Sequence, residues 1–326
     1  MQVPAPAPNA IYRVRVAVPV YLHDCFDYSL SAEQYRQAQP GARVAVSFGR
    51  QNLVGVIVEK LAPDAPLDPG IKLKAITELL DGQAILDSKV LSLLTWAAQY
   101  YQFPVGEVIQ SALPALLRQG KPYNLLARTW KLLDSDAESK LKRSERQQEA
   151  YKVLKLHPSG TSENLLNLAG IETATLKALE KKAICECVLE AQDFSPMPVS
   201  MAQMPLTANP DQKKAVEAVL KARRKYQAFL LDGLTGSGKT EVYLQVMQEV
   251  LKQGKQVLVL VPEINLTPQL EARVAARFPD AQLVSLHSEL TEAARTRHWR
   301  AAFDGTARIV LGTRLAVFTP MPERRV

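Results

Sequence analysis

The chain has 326 residues, 47% of them hydrophobic and 22% charged, which is typical of a soluble globular protein with two or three domains. This composition excludes a mostly disordered chain, and three cysteines are too few for a disulfide framework or, with only four histidines, for a self-contained zinc site. The apolar runs are short and the N-terminus lacks a signal-peptide pattern, so we expect a cytoplasmic protein without a membrane span.

The net charge of +7 is concentrated in the last third of the chain. Residues 1–200 hold 22 basic and 21 acidic side chains, whereas residues 201–326 hold 18 basic and 12 acidic ones. A basic block of this kind favours a polyanionic partner such as nucleic acid or nucleotide. A solvated, lysine-rich surface explains the same charge equally well.

The first region, residues 11–118, alternates apolar and polar residues in short runs, which predicts a small β-rich domain closed by a helix. The turn sequence Gly49-Arg50-Gln51-Asn52 predicts a hairpin. The predicted strands are Tyr12–Val20, Ala42–Phe48, Leu53–Glu59 and Leu73–Leu80, and the predicted helix is Asp87–Tyr101.

The second region, residues 119–200, begins with a stretch of mixed polarity that we interpret as a linker to residue 140. The predicted elements that follow are helices Glu145–Leu156, Ser162–Leu168 and Thr173–Lys182, and the strand Ile184–Leu189. Three short helices with a strand pair predict a winged-helix domain, which often docks on DNA or protein. A role as a mere spacer between domains is equally compatible with the pattern.

The third region, residues 206–326, alternates strands and helices, which predicts a parallel sheet covered by helices on both faces. The predicted strands are Phe229–Asp232, Gln256–Val261, Gln282–Leu286 and Ala307–Leu311, and the main helices are Asp211–Lys221 and Glu241–Lys252.

The segment Gly233-Leu234-Thr235-Gly236-Ser237-Gly238-Lys239-Thr240 fits the phosphate-loop pattern G-x-x-x-x-G-K-[ST] completely. It follows an apolar run and opens an amphipathic helix, so backbone N–H groups and the helix N-terminus can surround phosphate groups. Lys239 would reach the β- and γ-phosphates of ATP, and the Thr240 hydroxyl would bind Mg²⁺. The sequence therefore predicts nucleotide binding.

Three further segments are weaker candidates. Gln212, near the start of a helix, can donate to and accept from an adenine edge, although a lone glutamine is usually an ordinary surface residue. Gly312-Thr313-Arg314 can hold a nucleic-acid phosphate or can simply turn the chain after a strand. Phe26-Asp27-Tyr28 can stack a base beside a carboxylate, although an ordinary strand with one solvated acid is the simpler interpretation. His287 is by base rate a packed histidine.

Taken together, the motifs resemble the primosomal replication-restart helicase family, PriA. The resemblance is collinear and covers nearly the whole chain. It is carried by Gly233 to Glu241, Val261-Pro262-Glu263-Ile264, Leu286-His287-Ser288, Gly312-Thr313-Arg314, Phe318-Thr319-Pro320, Phe26-Asp27-Tyr28, Phe48-Gly49-Arg50-Gln51 and the segment from Leu113 to Gly120.

The resemblance implies a bacterial DNA helicase that moves 3′ to 5′, uses ATP and Mg²⁺, and reloads the replisome at forks. It implies an N-terminal domain that recognises a 3′ end, a winged helix on duplex DNA and a RecA-like lobe. Its partners would be forks, single-strand junctions, the primosome and single-strand-binding proteins, close to the nucleoid. The implied DNA-binding residues are Phe26, Asp27, Tyr28, Gly49, Lys74, Thr313 and Arg314; the implied ATP-binding residues are Gln212, Gly233, Thr235, Gly236, Ser237, Gly238, Lys239, Thr240 and Glu241.

The sequence departs from the family pattern because the acidic motif Asp-Glu-Glu-His does not occur in it. The eight zinc-binding cysteines, the second motor lobe and its arginine finger are also missing, so zinc is expected of the full-length family but not of this chain. Phosphoryl transfer needs the acid and the arginine as well as the phosphate loop. We therefore expect a truncated helicase that binds DNA ends but does not hydrolyse ATP; the alternative is a non-catalytic fork-binding module with a vestigial phosphate loop.

Overall fold

A computed structural model describes residues 11–67, 72–123, 126–135, 137–141, 144–157, 160–163, 166, 170–191, 207–222, 225–234, 236–262 and 267–322. These residues form two compact units. One unit combines the chain up to Tyr123 with the chain beyond Phe194, and the other lies between them in sequence. Within the described parts of the chain, no helix is both long enough and apolar enough to cross a membrane.

The N-terminal part of the larger unit is a closed five-stranded barrel, which confirms the β-rich character predicted there. Its strands are β1 (Arg13–Ala17), β2 (Phe26–Ser29), β3 (Arg43–Phe48), β4 (Gln51–Leu61) and β5 (Lys74–Leu79), with helix α1 (Ala32–Gln37) between β2 and β3. The order around the barrel is β1-β2-β5-β3-β4, and only the β2–β5 pair is parallel. The β3–β4 hairpin turns at Gly49, whose φ of +58° favours glycine.

Helices α2 (Ser88–Tyr100), α3 (Val105–Ser111) and α4 (Ala115–Arg118) follow the barrel. The predicted helix Asp87–Tyr101 is confirmed, and the Asp87 carboxylate caps it by accepting from the N–H groups of Lys89 and Val90. A buried ion pair between Arg43 on β3 and Asp81 ties the barrel to α4, because Arg43 Nη1 also donates to the Leu117 carbonyl at 2.6 Å.

The smaller unit contains a three-stranded sheet and two helices described by the structure, α5 (Glu145–Leu156) and α6 (Thr173–Glu180). Its strands are β6 (Leu126–Leu132), β7 (Thr161–Ser162) and β8 (Cys185–Ala191), in the order β7-β6-β8. The prediction of a linker over residues 119–140 is wrong, because β6 pairs along its whole length with β8. The helix predicted from Ser162 to Leu168 lies mostly outside the described residues, and Ser162 itself belongs to β7.

The C-terminal part of the larger unit is a parallel sheet with helices, as the strand and helix alternation predicted. The sheet order is β10-β11-β9, which places β11 in the centre. Its elements are α7 (Pro210–Ala222), α8 (Lys239–Lys252), β9 (Val257–Leu260), α9 (Thr267–Arg277), β10 (Leu283–Leu286), α10 (Glu292–Phe303) and β11 (Ile309–Gly312), followed by a 3₁₀ helix (Arg314–Phe318).

The strand predicted over Phe229–Asp232 does not form; this segment is irregular. It faces β9 across an apolar groove of about 890 Å³. A strand requires a partner backbone about 4.8 Å away, and none lies beside this segment in the described chain. Phe229 and Leu230 are consequently exposed.

One apolar cluster joins the helices that follow the barrel to α10 of the sheet region. Trp299 on α10 is 3% exposed and packs in the same apolar cluster as the helices that follow the barrel. Its indole Nε1 donates to the Ala112 carbonyl at 3.0 Å, and its ring stacks on Phe303. The α3–α4 turn is therefore held against the sheet region.

Candidate functional site

The phosphate loop opens α8 as the sequence predicted. Gly236 and Gly238 have φ values of +83° and +86°, the left-handed conformation that glycine adopts without strain. Gly238 stands immediately before the helix, and Lys239 is its first residue. The Lys239 ammonium donates to the carbonyl oxygens of Gly233 and Leu234. Thr235, also predicted to bind nucleotide, lies outside the described residues.

Gln212 on α7 lies directly against this loop. Its Nε2 is 3.4 Å from the carbonyl oxygens of both Ser237 and Gly238, and a Cβ at Gly238 would come within 2.3 Å of it. Its Oε1 accepts from the Asn209 N–H at 2.9 Å, and Asn209 Oδ1 accepts from the Gln212 N–H in return. The structure therefore brings Gln212 and the loop together, with the amide held from both ends.

Glu241 faces a different neighbour. Its Oε1 accepts from Arg277 Nη2 on α9 at 3.1 Å and from Gln245 at 3.0 Å. Both members of the Arg277 pair are largely buried, with side chains 4% and 11% exposed. Glu241 thus joins α8 to α9 through a buried ion pair, and its Oε1 atom accepts hydrogen bonds from protein groups and not from a position beside the phosphate loop.

Thr240 is half-buried in the first turn of α8. Magnesium in nucleotide sites is held by one or two protein oxygens together with the phosphates, and the position of Thr240 fits one such ligand. Among the residues that the structure describes, there is no group of three His, Cys, Asp or Glu side chains that could hold a metal without a nucleotide.

The outer face of the barrel carries a second candidate centre around Asp27. In the β1–β2 register Asp27 is directly opposite Arg15, and Arg15 is also opposite Glu59 on β4. Arg15 Nε donates to Asp27 at 3.0 Å, and its Nη1 donates to Glu59 at 2.9 Å. The hydrogen bond that Arg15 donates to Asp27 is the main reason that the Arg15 pKa is raised above its ordinary value. Arg13, only 3% exposed, lies 3.7 Å from the other Asp27 oxygen.

The two aromatic rings that flank Asp27 in sequence point the other way. Successive side chains on a strand alternate between its faces, so Phe26 and Tyr28 turn toward the barrel core. Tyr28 is 3% exposed, and Phe26 packs against Phe48 with ring centroids 4.9 Å apart. The structure therefore separates the Asp27 carboxylate from the Tyr28 ring, which is buried in the barrel. Phe26 is only half-buried, so part of its ring remains exposed.

A pocket of about 650 Å³ adjoins Asp27. Its lining residues are Arg15, His23, Asp24, Cys25, Phe26, Asp27, Leu67, Lys72 and Leu73. Burial raises the pKa of the Cys25 thiol, so this side chain lines the pocket in its neutral form. Lys74 is exposed on β5 opposite Tyr28, and Gly49 is exposed in the hairpin turn beside Phe48.

Thr313 and Arg314 follow β11 at the carboxyl end of the sheet, where α/β proteins commonly bind ligands. Gly312 is needed there, since a Cβ would come within 2.3 Å of the Ala316 Cβ. The Thr313 N–H donates to the Leu286 carbonyl at 3.1 Å, and Arg314 is exposed. The neighbouring strand β10 ends beside them and leads into His287.

The sequence reasoning missed Arg13 and Arg15. The signal was present in the alternation Arg13-Val14-Arg15-Val16, which places two arginines on the outer face of β1. Locating their carboxylate partner requires the strand register, which the sequence does not provide.

The comparisons with known proteins confirm the predicted resemblance. The chain is 38% identical over 319 residues to the replication restart protein PriA of Haemophilus influenzae, a match covering 94% of this chain and 42% of that protein. It is 32% identical over 325 residues to the replication restart protein PriA of Chlamydia pneumoniae, covering 94% and 41%. The protein of the same name from Synechocystis is 32% identical over 369 residues, covering 87% and 43%.

Two family models match separate parts of the chain. The PriA 3′ DNA-binding domain matches residues 15–114, which contain the barrel and Asp27. The res subunit of type III restriction enzymes matches residues 205–324, which contain the phosphate loop. The chain spans about two-fifths of the length of the curated relatives cited above.

Proposed function

We propose that this chain carries the DNA-end recognition and ATP-binding regions of an ATP-dependent 3′ to 5′ helicase of replication restart. The proposal rests on its similarity to the PriA proteins. It assigns residues 11–118 to 3′-end recognition, residues 119–200 to a winged helix and residues 206–326 to a RecA-like lobe. The partners would be DNA forks and 3′ ends, the primosome and single-strand-binding proteins, in the bacterial cytoplasm near the nucleoid.

The observation that carries this proposal is the presence of both sites in one compact unit. The barrel with Asp27 and the region with Lys239 lie in that unit, and Trp299 packs α10 against the helices that follow the barrel, so DNA-end binding and nucleotide binding would share one frame. Such a frame lets occupation of one site influence the other, as a DNA-dependent ATPase requires.

At the barrel, the Asp27 carboxylate would accept a hydrogen bond from a terminal 3′-hydroxyl. Arg15 and Arg13 fix the orientation of the carboxylate, because their guanidinium groups lie 3.0 Å and 3.7 Å from its two oxygens. The adjoining pocket of about 650 Å³ would hold the terminal nucleotide, with Lys72 available to a phosphate. Phe26 is the ring in a position to touch the base, since Tyr28 lies in the barrel core.

At the phosphate loop, the backbone and Lys239 would hold the ATP phosphates and Thr240 would ligate Mg²⁺. Gln212 would read the adenine edge with its side-chain amide, once a nucleotide replaces the two long contacts of 3.4 Å from Nε2 to the loop carbonyl oxygens. The bound metal would supply charge neutralisation at the phosphates. The chain's own residues bind and orient the nucleotide.

One observation favours the second candidate, a DNA-end binding module whose phosphate loop is vestigial. The Lys239 ammonium already bonds two carbonyl oxygens of its own loop. A nucleotide must displace these contacts before the lysine can reach a phosphate, which weakens binding. In that case the chain would bind 3′ ends with or without ATP.

The test is fluorescence anisotropy with model forks whose leading-strand arm ends in a 3′-hydroxyl or a 3′-phosphate. We expect tighter binding to the hydroxyl, because a terminal phosphate would be repelled by Asp27 and Asp24. Asp27→Asn should reduce the preference, since it removes one of the two charges that repel a terminal phosphate and the carboxylate that accepts from the hydroxyl, while Asp24 remains. Glu33→Gln, which neutralises an exposed carboxylate on α1, is the matched control and should keep the preference.

Equal binding of the two forks by the wild-type chain would contradict the assignment of the barrel to 3′-end recognition. A fluorescent ATP analogue distinguishes the two candidates. Binding that is lost in Lys239→Ala supports the nucleotide-dependent helicase, whereas no binding to the wild-type chain supports the vestigial loop.

A further inference from the structure

A cavity of about 310 Å³ lies where the barrel helices meet the parallel sheet, and we call it the seam pocket. One wall is the α3–α4 turn with Arg118, and the other wall is the carboxyl ends of β10 and β11 with Arg295 of α10. Its lining residues are Ser111, Ala112, Leu113, Pro114, Arg118, Leu286, His287, Ser288, Arg295, Trp299, Thr313, Leu315, Ala316 and Thr319.

The two walls of the seam pocket are held at a fixed separation. Trp299 Nε1 donates to the Ala112 carbonyl at 3.0 Å across the seam. The Ala115 N–H, at the start of α4, donates to the Glu292 carboxylate at 3.2 Å. Because both bonds join α10 to the α3–α4 turn, the pocket is pre-formed and a ligand need not order its walls.

The charge of the lining is basic. Arg118 and Arg295 contribute two guanidinium groups, and none of the described residues that line the pocket is Asp or Glu. Arg295 Nη2 is oriented by the carbonyl oxygens of His287 and Ser288, at 3.1 and 3.3 Å. Its Nη1 lies 3.8 Å from Glu292, a loose contact that only partly offsets its charge. Arg118 has no ion-pair partner among the described residues.

His287 and two hydroxyl groups complete the sheet-side wall. The His287 Nδ1 has no solvent-accessible surface and makes no hydrogen bond within the described part of the chain, so it does not contact a ligand in the cavity unless the ring moves. The hydroxyl groups of Ser288 and Thr313 line the same cavity.

We propose that the seam pocket binds one backbone phosphate of single-stranded DNA. Arg118 would approach this phosphate from the barrel side, and Arg295 and Thr313 would approach it from the sheet side. The inference rests on the proposed function, because it takes DNA as the ligand. It adds a specific role for Arg118: a side chain outside the helicase-like region completes a phosphate site of that region.

The consequence is a strand path that crosses from the sheet to the barrel through a site belonging to both. A phosphate held by Arg118 and Arg295 together links DNA binding to the seam that Trp299 closes. The apolar part of the lining, Leu113 and Leu315, can contact a sugar, as expected where a nucleotide backbone is enclosed.

The experiment measures the salt dependence of binding to a fluorescein-labelled 20-nucleotide oligo(dT) by the full chain. Each lost phosphate contact on single-stranded DNA reduces the slope of log K against log[salt] by about 0.7. We expect Arg118→Ala to reduce the slope by about this amount and to weaken binding by about tenfold at low salt. Arg118→Lys should restore most of the slope, since it retains the charge.

The matched control is Arg36→Ala, which removes an exposed arginine from α1 in the same barrel. It should leave the slope unchanged. Equal slopes for the wild type, Arg118→Ala and Arg36→Ala would overturn the inference, and so would an equal reduction in both variants. Retention of the 3′-hydroxyl preference in that case would leave the proposed function standing.

Free phosphate is the other source of the same chemistry, and a competition arm separates the two. If DNA is the ligand, inorganic phosphate at constant ionic strength should displace oligo(dT) more readily from the wild type than from Arg118→Ala, because it competes for the seam pocket. Binding of inorganic phosphate by the wild type but not by Arg118→Ala, with equal salt slopes and no displacement of oligo(dT), would assign the pocket to a free anion and refute the inference.

Discussion

The buried pair of Arg43 and Asp81 gives a prediction whose size follows from the structure. Arg43 is 0% exposed and Asp81 is 2% exposed. The Asp81 carboxylate accepts from the Arg43 backbone N–H, Nε and Nη2 at 2.9, 2.9 and 2.7 Å. Arg43 Nη1 donates to the carbonyl oxygens of Leu117 and Lys121. The seam-pocket residue Arg118 lies between these two residues in the sequence.

Removing only the carboxylate leaves a buried positive charge without compensation. We expect Asp81→Ala to lower the free energy of unfolding by about 3–5 kcal/mol. Arg43→Met should be similarly severe, because it leaves the Asp81 charge and two carbonyl oxygens unpaired. The double variant removes both charges and leaves only neutral groups unpaired, which are those two carbonyl oxygens and the backbone N–H of residue 43. Because an unpaired buried charge is more costly than an unpaired neutral group, it should be more stable than either single variant.

Urea unfolding followed by circular dichroism measures these four free energies as a double-mutant cycle. Glu78→Ala is the control, since it removes an exposed carboxylate from β5 of the same barrel and should change stability by less than about 0.5 kcal/mol. Additive losses in the double variant would refute the reasoning, because they would show that the two charges do not depend on one another.

Three other predictions concern separate parts of the chain. Lys239→Ala should weaken binding of a fluorescent ATP analogue by at least about tenfold, whereas Lys252→Ala at the far end of α8 should not; equal effects would exclude a specific role of the loop lysine. Trp299→Phe keeps a ring but leaves the Ala112 carbonyl unpaired, so denaturant unfolding should show a loss of about 1–3 kcal/mol; unchanged stability would mean that this bond does not hold the seam. Burial raises the pKa of the Cys185 thiol to about 12 from an ordinary value near 9. Above pH 9 the unfolded thiol ionises while the folded thiol keeps its proton, so the free energy of unfolding should fall as pH rises toward 12. Cys185→Ala should have a shallower pH dependence in the same titration, and an identical curve would contradict the raised pKa.

Local patterns predicted those elements whose stability is largely local. The helix from Glu145 to Leu156 has the predicted bounds, and the helix predicted from Asp87 to Tyr101 forms over Ser88–Tyr100, because its periodicity involves only neighbouring residues. The phosphate loop was also predicted correctly, because its glycines and Lys239 lie in one short loop and the first turn of the helix that follows it. The strands Ala42–Phe48 and Leu53–Glu59 were predicted from their alternation and joined by a local turn.

Non-local pairing decided the elements that were wrongly predicted. β6 exists because it lies against β8, with Leu126 opposite Ala191, and a stretch of mixed polarity gives no sign of such a distant partner. The opposite error occurred at Phe229–Asp232, where a strand was predicted but does not form. This segment has the composition of a strand but no adjacent strand in the described chain. Strand formation depends on the neighbour as much as on the residue.

The sequence by itself determined that the chain holds a β-rich region, an α/β region with a phosphate loop, and a collinear resemblance to the replication-restart helicases. These properties follow from residue type and spacing, which are local. The tertiary structure alone decided that Asp27 faces Arg15 while Tyr28 turns into the barrel, that Glu241 is held by Arg277, and that Arg118 meets Arg295 in one pocket. Each of these depends on strand register or on the packing of distant elements, because charges and rings act through distances that the order of residues does not specify.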